Sequence, residues 1–129
     1  MSWLPSACTA SSARRSVGVM SCAERRASAI LGANEPVFLG FPDGYIAPDN
    51  EMRGLIVRHI RLTRPELVIT WDGFRPGFNH RDHRLTGQSA VDAVFPLARD
   101  PIAYPDLPVE GLEAHRVMEL LLAGAENPD

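Results

Sequence analysis

Lysine is missing from this 129-residue chain, and all 13 basic residues are arginine. That bias fits a GC-rich coding sequence and carries no mechanistic weight. Acidic residues are missing from the first 23 positions, which hold only Arg14 and Arg15 as charged groups. Cysteine is scarce. Cys8 and Cys22 are too few for a disulfide framework, and neither has a partner at zinc-knuckle spacing, so a reducing cytoplasm is the default compartment. No apolar run approaches the roughly 20 residues that cross a bilayer, which excludes a spanning helix. With a net charge of -3 and a pI near 5.8, nothing gives the chain an electrostatic grip on nucleic acid or on an anionic membrane. There is no glycine-rich phosphate loop, no GxSxG elbow and no supported cysteine–histidine nucleophile pair.

The acid-free head superficially resembles a transit peptide but lacks the apolar core of a secretory signal. It is taken as a poorly structured or non-homologous segment, residues 1–23, ahead of a body over residues 24–129. The body carries 16 acidic and 11 basic residues. Its length and 45% hydrophobic content suit one globular domain.

Periodicity predicts a helix over residues 22–31, alanine-rich and ended by Gly32. A short buried strand is predicted at 37–39, before the turn Pro42-Asp43-Gly44. A second helix is predicted over 50–63, capped by Asp49 or Asn50 and stopped by Arg64-Pro65. Its inward stripe is Met52, Leu55, Ile56 and Ile60, with His59 at the boundary and Arg53, Arg58, Arg61 and Arg64 on a solvated face. Residues 67–71 form the clearest strand, near-continuously apolar as in a sheet covered on both faces. A loop over 72–79 leads to a helix over 84–98 with Val91, Val94, Phe95 and Ala98 inward. Three prolines make 100–111 an extended connection. Residues 116–122 fit a strand or a helix, with the strand preferred. The alternation argues for an α/β layer with a parallel sheet and flanking helices.

Ligands of open parallel sheets bind outside the carboxyl ends of the strands. Asp43, Asp72 and the run Asn79-His80-Arg81-Asp82-His83-Arg84 are all expected at that rim. The pair His80 and His83 is the sharpest signal, because imidazole is a common ligand for zinc and a common acid–base group. Asp82 would orient a ring or cap the helix. Two histidines alone equally suit surface or capping roles, since a catalytic zinc needs about three protein ligands. Asp72 and Asp43 would otherwise serve only their loop and turn, and His115 would pack ahead of the last strand.

The ordered motifs resemble the PIG-L/LmbE-type N-acetylglucosaminyl deacetylases over residues 24–129. They run through Ala29-Ile30-Leu31-Gly32, Phe38-Leu39-Gly40-Phe41-Pro42-Asp43-Gly44 and Arg64-Pro65-Glu66-Leu67-Val68-Ile69-Thr70. They continue through Asn79-His80-Arg81-Asp82-His83-Arg84, Gly87, Asp92-Ala93-Val94, Ala98-Arg99-Asp100-Pro101 and Glu113-Ala114-His115-Arg116-Val117. The resemblance implies a partial Rossmann-like fold and hydrolysis of the N-acetyl group of an amino-sugar conjugate with zinc. It also implies a metal-ligand role for His83 and a role for His80 as charged partner of the tetrahedral intermediate. By the same token Asp82 supports His80, and Asp43 lies near the substrate rim, where strand direction also puts Asp72.

The family's usual His-Pro-Asp-His segment has Arg81 in place of proline here. Its Ala-His-Pro-Asp-Asp-like segment, which supplies two zinc ligands and the base, has no counterpart in these residues. Met20 and Ala23 stand where the family has an Arg-x-x-Glu. These departures lead to the expectation of a truncated or frame-disrupted reading frame with an incomplete catalytic set. The alternatives are a non-catalytic remnant and a small α/β module that binds an anion at the same rim.

Overall fold

The computed structural model describes residues 15–124, with side chains from residue 22 onward. It divides into two compact units, Met1–Gly40 and Phe41–Asp129. In the first, helix α1 spans Arg15–Ile30. It ends as its sequence predicts: Gly32 takes a positive φ of 68°, and Ala33 N–H reaches back to Ser28 O at 2.9 Å, closing the last turn. Cys22 is disulfide-bonded. The strand predicted at 37–39 is not formed. Val37 and Phe38 are exposed, and Phe38 lies beneath the Arg25 guanidinium, 5.5 Å from ring centroid to Cζ. An apolar run becomes a strand only where a ladder partner meets it.

In the second unit, α2 spans Asn50–Thr63. Asp49 caps it by accepting the Met52 N–H at 2.9 Å, and Arg64, in the left-handed region at φ 49°, ends it ahead of Pro65. Its buried face is Met52, Val57, Ile60 and Arg61, rotated from the predicted stripe; Leu55 and Ile56 are only half-buried. Strand β1, Leu67–Trp71, pairs in parallel with β2, Glu119–Ala123, with Leu67 opposite Glu119 and Trp71 opposite Ala123. The preference for a strand at the C-terminal apolar run is therefore right, with its start shifted by three residues. The crossover between the strands carries α3, Arg81–Asp92, and the single turn α4, Asp106–Val109.

The helix predicted over 84–98 breaks within its last turns. Ala93–Leu97 form a wide turn closed by Ala98 N–H to Ala93 O at 2.8 Å, and Phe95 is extended (φ -144°, ψ 122°) before Pro96. Proline disfavours helical backbone in the residue ahead of it, so Phe95 turns outward to 61% exposure instead of joining the core. The predicted extended stretch over 100–111 likewise contains α4, whose Leu107 is buried.

The core sits between α2, the wide turn and one face of the sheet: Val57, Ile60, Ala93, Val94, Ala98 and Leu107, with Val68, Val117 and Leu120 packed against it. Both strands alternate in exposure along their length. Leu67, Ile69, Trp71 and Leu121 are exposed, so among the described residues only one side of the sheet is covered.

Arg61 is the largest correction. It is 2% exposed, not part of the solvated face. Its Nε donates to Ala98 O at 3.2 Å, and its Nη2 donates to Leu97 O (3.1 Å), Asp100 O (2.7 Å) and Ala103 O (3.0 Å). A forked donor suits a backbone that leaves its helix and strands several carbonyls together.

Candidate functional site

β1 delivers Trp71 and Asp72 to the carboxyl end of the parallel pair, and the Asp72 N–H extends the ladder to Ala123 O at 2.9 Å. The chain then turns back into α3. Two glycines allow the return. A Cβ on Gly87 would lie 2.2 Å from Trp71 O and 2.7 Å from Gly73 N, and one on Gly73 would lie 2.6 Å from Gln88 N. Only hydrogen fits at either position. The backbone of the loop thus lies directly on α3, and Gln88 Nε2 fastens it through Gly73 O at 2.9 Å.

This close approach puts the start of α3 beside the end of β1. The His83 ring stacks on Trp71 with centroids 4.1 Å apart and planes 9° apart. His80 lies 5.1 Å from His83, tilted by 49°. The two histidines are therefore neighbours at the mouth of the sheet, as the strand direction predicts. His80 caps α3, its Nδ1 accepting the Asp82 N–H at 3.2 Å. An Nδ1 that accepts leaves Nε2 as the protonated nitrogen of the neutral ring.

Asp82 is 7% exposed. Its Oδ2 accepts the Gly44 N–H, and its Oδ1 accepts no hydrogen bond, with the Arg81 guanidinium 3.6 Å away. The predicted cap falls to His80 rather than Asp82, and the bond from Asp82 runs to the turn at 42–45. That turn is closed by Tyr45 N–H to Pro42 O at 3.2 Å, with Gly44 at φ 79°. It presents Asp43 exposed. The Asp72 carboxylate is engaged locally, accepting the Phe74 N–H at 2.9 Å, while Asn79 Nδ2 donates to Asp72 O at 3.0 Å. That geometry is the loop-capping alternative for Asp72. His59 is half-buried in α2, and His115 contacts Pro65 O through Nε2 at 2.8 Å, a packing role.

Among the described residues, no group of three or more histidine, cysteine, aspartate or glutamate side chains converges to hold a metal. His80 and His83 are two nitrogen donors, one of them already an acceptor for its own helix and the other stacked on indole. The zinc that the resemblance implies is not accommodated by these residues alone.

Sequence reasoning missed Trp71, Arg81 and the Gly73–Gly87 contact. The signal for Trp71 was its place immediately before Asp72 at the strand end. No period marks a glycine pair that meets across a loop.

The GlcNAc-PI de-N-acetylase family model, PIG-L, matches residues 8–94. The diacetylchitobiose deacetylase of Thermococcus kodakarensis is 33% identical over 94 residues, which are 73% of this chain and 35% of that protein. Among solved structures, the N,N'-diacetylchitobiose deacetylase of Pyrococcus horikoshii superposes with a TM-score of 0.76 at 24% identity, over 87% of this chain and 44% of that one. A conserved protein of Thermus thermophilus superposes with a TM-score of 0.66 at 30% identity, over 87% and 46%. The chain thus spans about a third of the length of the curated relative and under half of the solved ones. With the family model covering well over half of its residues, the chain belongs to the PIG-L, or GlcNAc-PI de-N-acetylase, family.

Proposed function

We propose that the rim formed by His80, His83 and Asp43 receives an N-acetylated amino sugar of the N-acetylglucosamine type, with de-N-acetylation as the reaction of the family site. In this reading the parallel pair and its helical crossover are the central part of a Rossmann-like sheet. The observation that carries it is the side-by-side placement of His80 and His83 at the N-terminus of α3 and the mouth of the sheet.

Each group has a task that follows from its geometry. The acetamide carbonyl gains negative charge as an amide is hydrolysed, and the His80 Nε2–H is a donor suited to that oxygen. The positive end of α3 favours the same charge. The exposed Asp43 carboxylate accepts hydrogen bonds from sugar hydroxyls. Trp71 holds the His83 ring in one orientation by stacking. The described residues do not build a zinc site, and the groups they do bring together suit ligand binding better than turnover.

The test is a nuclear magnetic resonance titration of the 129-residue chain with N-acetylglucosamine, with glucosamine as control. Shifts at His80, His83 and Gly44 with the acetylated sugar only are the expected result. Equal response to both sugars, or none at these residues, would overturn the proposal. An acetate-release assay on N,N'-diacetylchitobiose should show negligible turnover by this chain alone. Rapid release would refute the view that these residues bind without completing the reaction.

A further inference from the structure

Arg81 is the residue by which this chain departs from the His-Pro-Asp-His pattern, and the structure gives it work that proline cannot do. Its Nη1 donates to Gly44 O at 3.1 Å and to Ile46 O at 2.7 Å. The adjacent Asp82 accepts the Gly44 N–H. Both polar ends of Gly44 are thus held by consecutive residues of the first turn of α3, across more than 35 positions of sequence. Asp43 is the next residue in the held turn. His80, the other end of the span, caps the same helical turn.

We infer that Arg81 is a positioning residue: with Asp82 it clamps the turn bearing Asp43 onto the helix bearing His80 and His83, and so fixes the distance a bound sugar must bridge. The ligand half of this inference rests on the function proposed above; the clamp itself does not. Two features make the second-residue position suited to the role. Arg81 is half-exposed, so its stem lies over the surface while its head reaches the turn. Its hydrogen-bond acceptors are the two carbonyl oxygens of the turn, and the neighbouring Asp82 Oδ1, 3.6 Å away, balances its charge. Asp82 then remains the acceptor for the one N–H of the pair.

Arg81→Pro is a clean probe. Arg81 is the first helical residue of α3, where proline is well tolerated, and His80 already has the extended backbone (φ -55°, ψ 135°) that a following proline requires. Amide hydrogen exchange of the full chain reads the clamp. Arg81→Pro and Arg81→Ala should each speed exchange of the Gly44 amide about tenfold or more, with α2 amides unchanged, since a charge-assisted bond is worth roughly that factor. Arg81→Lys, which retains donors, should recover much of the protection. Unchanged Gly44 exchange in both loss variants, or no recovery with lysine, would overturn the clamp.

Titration with N-acetylglucosamine reads the consequence. The loss variants should bind several-fold more weakly and the lysine variant close to the parent. Faster Gly44 exchange with undiminished sugar affinity would overturn the positioning role. A parent chain that gives no response to the sugar defeats the proposed function instead, and the exchange arm still decides the clamp.

Discussion

Replacing Arg61 by methionine removes four hydrogen bonds while keeping most of the apolar stem. The acceptors are Leu97 O, Ala98 O, Asp100 O and Ala103 O. Two of them keep a second donor: Ala98 O has the His115 N–H at 2.9 Å, and Asp100 O has the Ala103 N–H at 3.2 Å. The bonds to Leu97 O and Ala103 O are those the variant strands. At about 1–3 kcal/mol for each buried acceptor left without a partner, the loss spans roughly 2–6 kcal/mol. Leu97 and Ala103 are only half-buried, so water reaches them in part, and Nη1 of Arg61 is itself buried without a partner. Both facts pull the expected loss to about 3 kcal/mol, a large share of the roughly 5–15 kcal/mol that holds a domain together. With a urea dependence of about 1.5 kcal/mol/M, the unfolding midpoint should fall by about 2 M with its slope unchanged. Circular dichroism during urea titration measures this, and Arg64→Met, an exposed substitution just past the same helix, should stay within about 0.5 kcal/mol of the parent. An Arg61→Met protein that unfolds at the parent midpoint would refute the view that this guanidinium organises the backbone between α3 and β2.

Three further outcomes follow from the geometry. Gly87→Ala would place its methyl 2.2 Å from Trp71 O, against backbone that cannot yield cheaply; a loss of at least about 2 kcal/mol is expected, and a parent-like melting curve would contradict it. Nitrogen-15 spectra of the imidazoles should show neutral His80 as the Nε2–H tautomer; the Nδ1–H form would contradict the cap seen on α3. The Glu110 carboxylate is held below its ordinary 4.5 chiefly by the hydrogen bond from Arg58, with slight desolvation opposing and the Arg58 charge assisting. Any stability it lends is present above that value and lost as pH falls through the lowered one, so Glu110→Gln should lower the unfolding midpoint slightly above about pH 4.5 and match the parent in more acid solution. Salt of about 1 M, where the Debye length is about 3 Å, should erase the difference, and a persistent effect would point to a role beyond the exposed pair.

How far the sequence disclosed this structure depended on how local the cause was. The limits of α2 were readable because Asp49 and Arg64-Pro65 act on their own neighbours. The rim was readable because β1 ends at Asp72 and α3 starts beside His80, so strand direction alone brings the two together. The strand at 37–39 was misread because its composition is right but no described residue pairs with it; pairing is not a local property. Arg61 was misread by its charge. Its position, four residues after Val57 and one after Ile60, lies on the buried stripe, and only the clustered carbonyls of the distant 97–103 backbone explain why a cation sits there. Phe95 was misread although Pro96 announced the break. Asp82 was readable as a residue at the start of α3 but not in its bonding, since its partner, Gly44, lies 38 positions away.

The outward side of the parallel pair has a consequence for this polypeptide in concentrated solution. Leu67, Ile69, Trp71 and Leu121 form an oily ribbon on neighbouring strands in register, with Ile69 opposite Leu121. Surfaces of that kind favour adhesion between molecules, and the molecule's modest net charge of -3 gives little repulsion to oppose it. Solubility should therefore improve more on changing Ile69 or Leu121 to a charged residue than on any equal change to the arginine-rich side of α2.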